Sequence, residues 1–299
     1  MDEQKQLIVA GAKQYLDYLT SQVPQRDDNG NLRYYFSGSL AMLLLSSARS
    51  IKPSFLDAKG KVVCASEEMS IPDRNRESLA VGVRPIGQDV DIVTIDDTVF
   101  DGKVYAYELS KMREKCDLAT TLCPKWANGG GTMYVDLLAS DRTFDGFDVA
   151  ELTLLDSTKA VIADPLSLIT HKFADALGCK TAIEIARGRG RLTAEKLVEY
   201  DAKYEKDLKD FASMFNGVVA LYGKMDFNKV VEHILQTCPD TAFAKKMHAE
   251  VADKIKQFWF DCKELIEADS HTLFSEYIQA VNELNKFTLS RATGMRYKR

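Results

Sequence analysis

Asp89-Val90-Asp91-Ile92-Val93-Thr94-Ile95 reads as a strand with two carboxylates at its head and an apolar body. Residues i and i+2 of a strand project from one face, so Asp89 and Asp91 belong together. An acid inside such a run is costly to bury unless it is paired or bound to a cation. A second apolar run, Met133 to Leu138, encloses Asp136. On a neighbouring strand Asp136 would complete a three-carboxylate oxygen site of the kind that holds a hard divalent cation.

Upstream, the apolar run Tyr34-Tyr35-Phe36 leads through Ser37 into Gly38-Ser39 and then into the helical stretch Leu40 to Ser47. A strand, a Gly-Ser turn and a helix N-terminus together make a seat for phosphate, because backbone N–H groups there lack internal partners. Glycine at position 38 lets the backbone approach closely, since a Cβ would fill the space a phosphate needs.

The rest of the chain supplies the frame. Ile8, Ala12, Tyr15, Leu16, Leu19 and Val23 fall at helical spacing, so residues 4 to 22 are expected to form an opening helix packed on the sheet. Residues 51 to 87 are expected to form a hairpin and a loop, with the charged run Asp73 to Glu77 in the loop. Val104 to Leu109 is expected to pair with the Asp89 strand, and Ser110 to Thr120 to be a helix leading through Gly129-Gly130-Gly131 to the Asp136 strand. Asp164-Pro165 is a helix start, an N-cap followed by proline at the first helical position. Beyond it the pattern is helical nearly throughout, with Phe258, Trp259 and Phe260 expected in the core. The fold class is therefore α+β, a mixed-sheet domain over residues 1–160 followed by a helical bundle domain over 161–299.

With 299 residues, 45% of them hydrophobic, the chain can bury one large core or two ordinary ones. No run approaches about 18 consecutive apolar residues, and Met1 to Gln6 lacks a signal-peptide pattern, so a cytoplasmic protein with no membrane partner is expected. The net charge of −5 does not favour nucleic acid across the whole surface. Arg187, Arg189 and Arg191, alternating with glycines in a presumed loop, and Arg291, Arg296, Lys298 and Arg299 in the tail form local basic patches. Such patches suit solvated surface or contact with RNA or phosphate. The six cysteines include no CxxC pair and are read as buried or free thiols.

The seat and the three acids describe nucleotidyl transfer, in which a nucleoside monophosphate passes from a triphosphate to an acceptor oxygen. Two magnesium ions are the expected cofactor, since charge on the phosphorus oxygens must be neutralised. Asp89 and Asp91 would hold both ions, Asp136 would serve as ligand or general base, and Gly38 and Ser39 would hold the triphosphate.

Phe36-Ser37-Gly38-Ser39, Asp89-Val90-Asp91 and Val135-Asp136-Leu137 resemble the three signatures of the DNA polymerase β-type nucleotidyltransferase superfamily. Within it the chain most resembles the abortive-infection AbiEii toxin-like nucleotidyltransferases. Arg84 to Asp91 is a loose counterpart of their Arg-x-Ser-x-Asp-x-Asp, Pro165 to Leu177 with Lys172 of their lysine-bearing helix, and Lys206-Asp207-Leu208-Lys209-Asp210 of their Lys-Asp-x-x-Asp helix. The resemblance implies that Lys172 and Arg84 are nucleotide-binding, that Asp207 or Asp210 lines the acceptor side, and that the helical half walls the cleft. It also implies a toxin with an antitoxin protein as partner. The chain departs from the family in the long stretch, about fifty residues, between Ser39 and Asp89. The alternation of Lys and acids at 203–210 is also what i,i+4 pairing explains without any function.

The four histidines, His171, His233, His248 and His271, have no metal-binding spacing, and no GxxxxGK[ST] or GxGxxG run is present. Zinc hydrolase, P-loop and dinucleotide chemistries are thereby disfavoured. The acceptor stays open among an RNA end such as tRNA, a protein hydroxyl and a small molecule of the antibiotic type. A non-catalytic nucleotide-binding or partner-binding domain of the same fold is the alternative to an enzyme.

Overall fold

The short apolar run at 34–36 becomes a fully buried strand in the computed structural model, which describes residues 1–87, 89–96, 99, 117–124, 134–139, 148–189, 193–222 and 253–292. The chain divides into two compact units, Met1–Leu168 and Ile169–Arg299.

In unit 1, helix α1 (Glu3–Gln22) starts at Asp2, whose carboxylate accepts from the Lys5 amide. Its buried stripe contains Ile8, Ala12, Tyr15, Leu16 and Leu19, as its period requires. Its main neighbours are not the sheet, as expected, but helix α2 (Gly38–Ser46) and the helical turn Ala119–Leu122. Gly11 permits this packing: a Cβ there would come within 3.0 Å of the Leu118 carbonyl. Helix α2 is buried all round from Leu40 to Ser46, as an uninterrupted apolar helix must be.

The strands are β1 (Tyr34–Phe36), β2 (Ala48–Leu56), β3 (Val62–Ala65), β4 (Met69–Ser70), β5 (Asp89–Thr94), β6 (Tyr134–Ala139), β7 (Val149–Leu154) and β8 (Lys159–Ala163). They form one mixed sheet in the order β3-β2-β7-β8-β1-β5-β6, with β4 also on β2. β1 lies parallel to β8 and antiparallel to β5, and β5 lies parallel to β6. Gln25 reinforces the centre with its side-chain amide, which donates to the Val161 carbonyl and accepts from the Val161 amide, both at 3.0 Å.

The stretch expected as a hairpin and loop is more ordered than its composition suggested. β2 is long and pairs antiparallel with β7 along most of its length. The charged run at 73–77 opens helix α3 (Asp73–Ala80), where Pro72 occupies the N-cap, Asp73 the first turn, and Ser78, Leu79 and Ala80 bury its end. Among the described residues, β5 is flanked by β1 and β6. The expected strand at 104–109, most of the expected helix at 110–120 and the glycines at 129–131 lie outside the described residues.

The described residues of unit 2 are helical. They include most of α4 (Pro165–Arg189), then α5 (Ala194–Gly217), α6 (residues 253–263) and α7 (His271–Ala292). Phe173, Phe211, Phe258 and Tyr277 pack edge-on or tilted, with centroids 4.6 to 6.4 Å apart. Two expectations are corrected here. Arg187 and Arg189 end helix α4 instead of sitting in a loop; Arg191 lies outside the described residues. Phe258 is in the core, but Phe260 is 65% exposed and Trp259 half-buried. At 100° per residue, three consecutive aromatics cannot share one helix face. Among the described residues no helix is long and apolar enough to cross a membrane.

Candidate functional site

Strand β1 delivers Gly38 to the head of β5. The antiparallel ladder runs from Tyr34↔Thr94 to Phe36↔Ile92, and the Ser37 amide then donates to the Asp91 carbonyl at 2.9 Å. The start of α2 is thereby fixed beside Asp91, despite the long chain between them. Gly38 opens the helix with φ of +56°. A Cβ built there would stand 1.7 Å from Asp91 Oδ2. At position 38 the left-handed backbone strains any other residue, and a Cβ would require the Asp91 carboxylate to move.

Ser39 follows in the first turn of α2. The Ser37 side chain makes no capping bond, so the first-turn N–H groups lack the acceptor that a serine N-cap ordinarily supplies. Gly38, Ser39 and Asp91 are each partly exposed, whereas Val90 and Ile92, either side of Asp91, are buried. Backbone donors and one carboxylate therefore share an accessible edge above an apolar floor.

β6 brings the third acid into line. Its parallel register with β5 pairs Asp89 with Tyr134 and Asp91 with Asp136. Strand alternation then assigns positions 89, 91 and 136 to one face of the sheet. The register thus brings the positions of three acids near one another, and carboxylate is the residue chemistry that suits a hard divalent cation such as magnesium. Among the described side chains no group of three or more His, Cys, Asp or Glu is placed to hold a metal ion, and those of Asp89 and Asp136 are not among them.

Arg84 sits half-buried in the segment leading into β5, with Nη1 donating to the Gly82 carbonyl at 3.2 Å. That segment is clamped from one side. The Ile86 amide donates to the Leu122 carbonyl at 2.9 Å, and the buried Cys123 thiol donates to the Gly87 carbonyl at 2.6 Å. Cys123 was legible only as a thiol; its positioning role depends on a contact far away in sequence.

In unit 2, Lys172 on α4 meets two acids of α5. Its ammonium is 3.2 Å from Asp207 Oδ1 and 3.4 Å from Asp210 Oδ2, and both carboxylates are fully buried. Burial pulls the Lys172 pKa down, but Asp210 and Asp207 outweigh it and the net direction is up. For Asp207 burial dominates over the attraction of Lys172, and its pKa is raised. The two directions are compatible, because burial disfavours the charged form of Asp207 more than its lysines favour it, while two acids favour the charged form of Lys172. Asp207 Oδ2 is buried with no hydrogen-bond partner among the described residues. Both acids thus have a partner on another helix, beyond the i,i+4 pairing read from residues 203–210. A signal existed: Tyr204, Asp207, Asp210, Phe211 and Met214 fall on one helical stripe whose other members are core residues.

Of the histidines, His171 is exposed on α4, His271 meets the Ile266 carbonyl at 2.9 Å, and His233 and His248 lie outside the described residues. Comparison with known proteins gives no match to any family model, curated protein or solved structure.

Proposed function

We propose that unit 1 carries the catalytic site of a magnesium-dependent nucleotidyltransferase that moves an NMP from an NTP to an acceptor hydroxyl. In this reading its mixed sheet is a DNA polymerase β-type domain, and the helices of unit 2 form an accompanying bundle. The observation that carries it is the approach of Gly38 to the Asp91 carboxylate, with Asp136 in register beside Asp91. That juxtaposition joins a phosphate-type helix N-terminus to an acid cluster, the two parts such a transfer requires.

The Gly38 and Ser39 amides and the Ser39 hydroxyl would donate to triphosphate oxygens. Asp89, Asp91 and Asp136 would hold magnesium, which when bound neutralises charge developing on the transferred phosphorus. Asp136, whose position pairs with Asp91, would also take the acceptor's proton as general base. Arg84 adds a cation to the approach to β5. Lys172 already faces Asp207 and Asp210, and a nucleotide-binding role for it rests on the resemblance alone. RNA is the acceptor favoured by the basic positions at 187–191 and 291–299. Action as a toxin restrained by an antitoxin rests on the resemblance alone.

Calorimetric titration of each NTP with and without magnesium, beside a pyrophosphate-release assay with tRNA as first acceptor, tests the proposal. Asp89→Ala/Asp91→Ala is expected to lose both binding and release. Turnover surviving that double substitution would overturn the mechanism. Magnesium-dependent binding without release under every acceptor would favour the non-catalytic alternative.

A further inference from the structure

Strand β3 ends the sheet. On one side it pairs with β2, and on the other no strand covers it among the described residues. Its residues Val62, Val63, Cys64 and Ala65 are all exposed although all are apolar, and Val63 is 60% exposed. An open edge of β-branched residues is a template for another chain.

The flanks of this edge indicate which chain. Lys61 precedes the strand and Glu67 follows it, both exposed. Laid antiparallel against a second copy with Cys64 on the two-fold axis, the edge sets Lys61 opposite Glu67 twice and Val63 opposite Ala65 twice. Laid parallel in register, it would set like charges together. We propose that the chain forms a two-fold dimer through antiparallel pairing of β3 with β3 of a second copy. The register shift against Phe55 and Leu56 makes Val63 an extra, bulged residue, which raises the local twist and restricts pairing to a short stretch. The two-fold also closes the assembly at this edge, because each copy contributes its β3 once.

Sedimentation over a range of protein concentrations tests this, with circular dichroism to show that each variant is folded. Wild type is expected to show a monomer–dimer equilibrium. Lys61→Glu and Glu67→Lys are each expected to weaken it about tenfold, because two cross-strand attractions become repulsions. The double variant Lys61→Glu/Glu67→Lys, which restores opposite charges, should recover the dimer. Val63→Pro should abolish it by removing an edge donor. A short bifunctional maleimide should link wild type as dimer and fail on Cys64→Ser. A wild type monomeric at every concentration, a dimer indifferent to the charge reversals, or a double variant no better than the single ones would overturn the proposal.

Discussion

One absent methyl group leaves room for the Asp91 carboxylate against position 38. Gly38→Ala would drive its Cβ into Asp91 Oδ2 and force a left-handed backbone on an L side chain. The expected result is loss of NTP binding by calorimetry and a stability cost of about 1–3 kcal/mol in urea. In unit 2 the decisive residue is Lys172. Lys172→Met would remove the ammonium that two buried carboxylates face, and urea unfolding should show a loss of about 3–5 kcal/mol. Asp207→Asn should cost less, since Lys172 keeps Asp210. With pH, Lys172 follows the sign of any paired lysine, and Asp207 the reverse of an exposed paired carboxylate. Lys172, with its pKa raised, contributes fully below the ordinary lysine pKa and loses that contribution as pH rises through the raised value. Asp207, also raised, binds its proton more tightly folded than unfolded, so its contribution falls as pH climbs from the ordinary carboxylate range towards its raised value. Asp207→Asn should therefore flatten the acid side of the stability profile of unit 2. The sequence made the strands that bear positions 89, 91 and 136 legible, because acids stood out in apolar runs. It hid Asp207 and Asp210 because the lysines around them offered a sufficient local explanation.

At the level of elements, legibility followed local signals. The opening helix came from its period, and the start of α4 came from Asp164-Pro165. Asp164 is fully buried, and its Oδ1 accepts from the Leu166 amide at 2.9 Å. Asp164→Ala should cost about 0.5–2 kcal/mol by urea unfolding, and Asp164→Asn much less, because the amide oxygen can still cap. Elements held by distant contacts were harder to see. α3 looked like a charged loop because its apolar residues crowd its last turn. The end of α4 looked like a loop because glycines alternate with arginines, yet a glycine costs a helix only about 1 kcal/mol, and cations favour a helix C-terminus. The long stretch between Ser39 and Asp89 appeared to separate the seat from the acids. In the fold it becomes β2, β3, β4 and α3, and β2 extends the sheet beyond β7, on the side away from β5.

For the whole molecule, two compact units imply two cooperative transitions on heating or in denaturant. Gly38, Ser39, Asp89, Asp91 and Asp136 all belong to unit 1, and Lys172, Asp207 and Asp210 to unit 2. Magnesium with the bound NTP is expected to raise the transition of unit 1 in calorimetric scans, since a ligand that binds only the native state stabilises it. Lys172→Met should lower the other. A single transition moved equally by both would show that the units unfold as one. The pairing of β1 also sets a timetable. This three-residue strand lies between β5 and β8, so its two edges close against segments made much later in synthesis. A ribosome-bound chain that has not yet exposed Lys159–Ala163 lacks one of the two neighbours that hold Gly38 against Asp91. Contacts so distant in sequence form slowly, and nascent chains arrested before that point are expected to be nucleotide-blind.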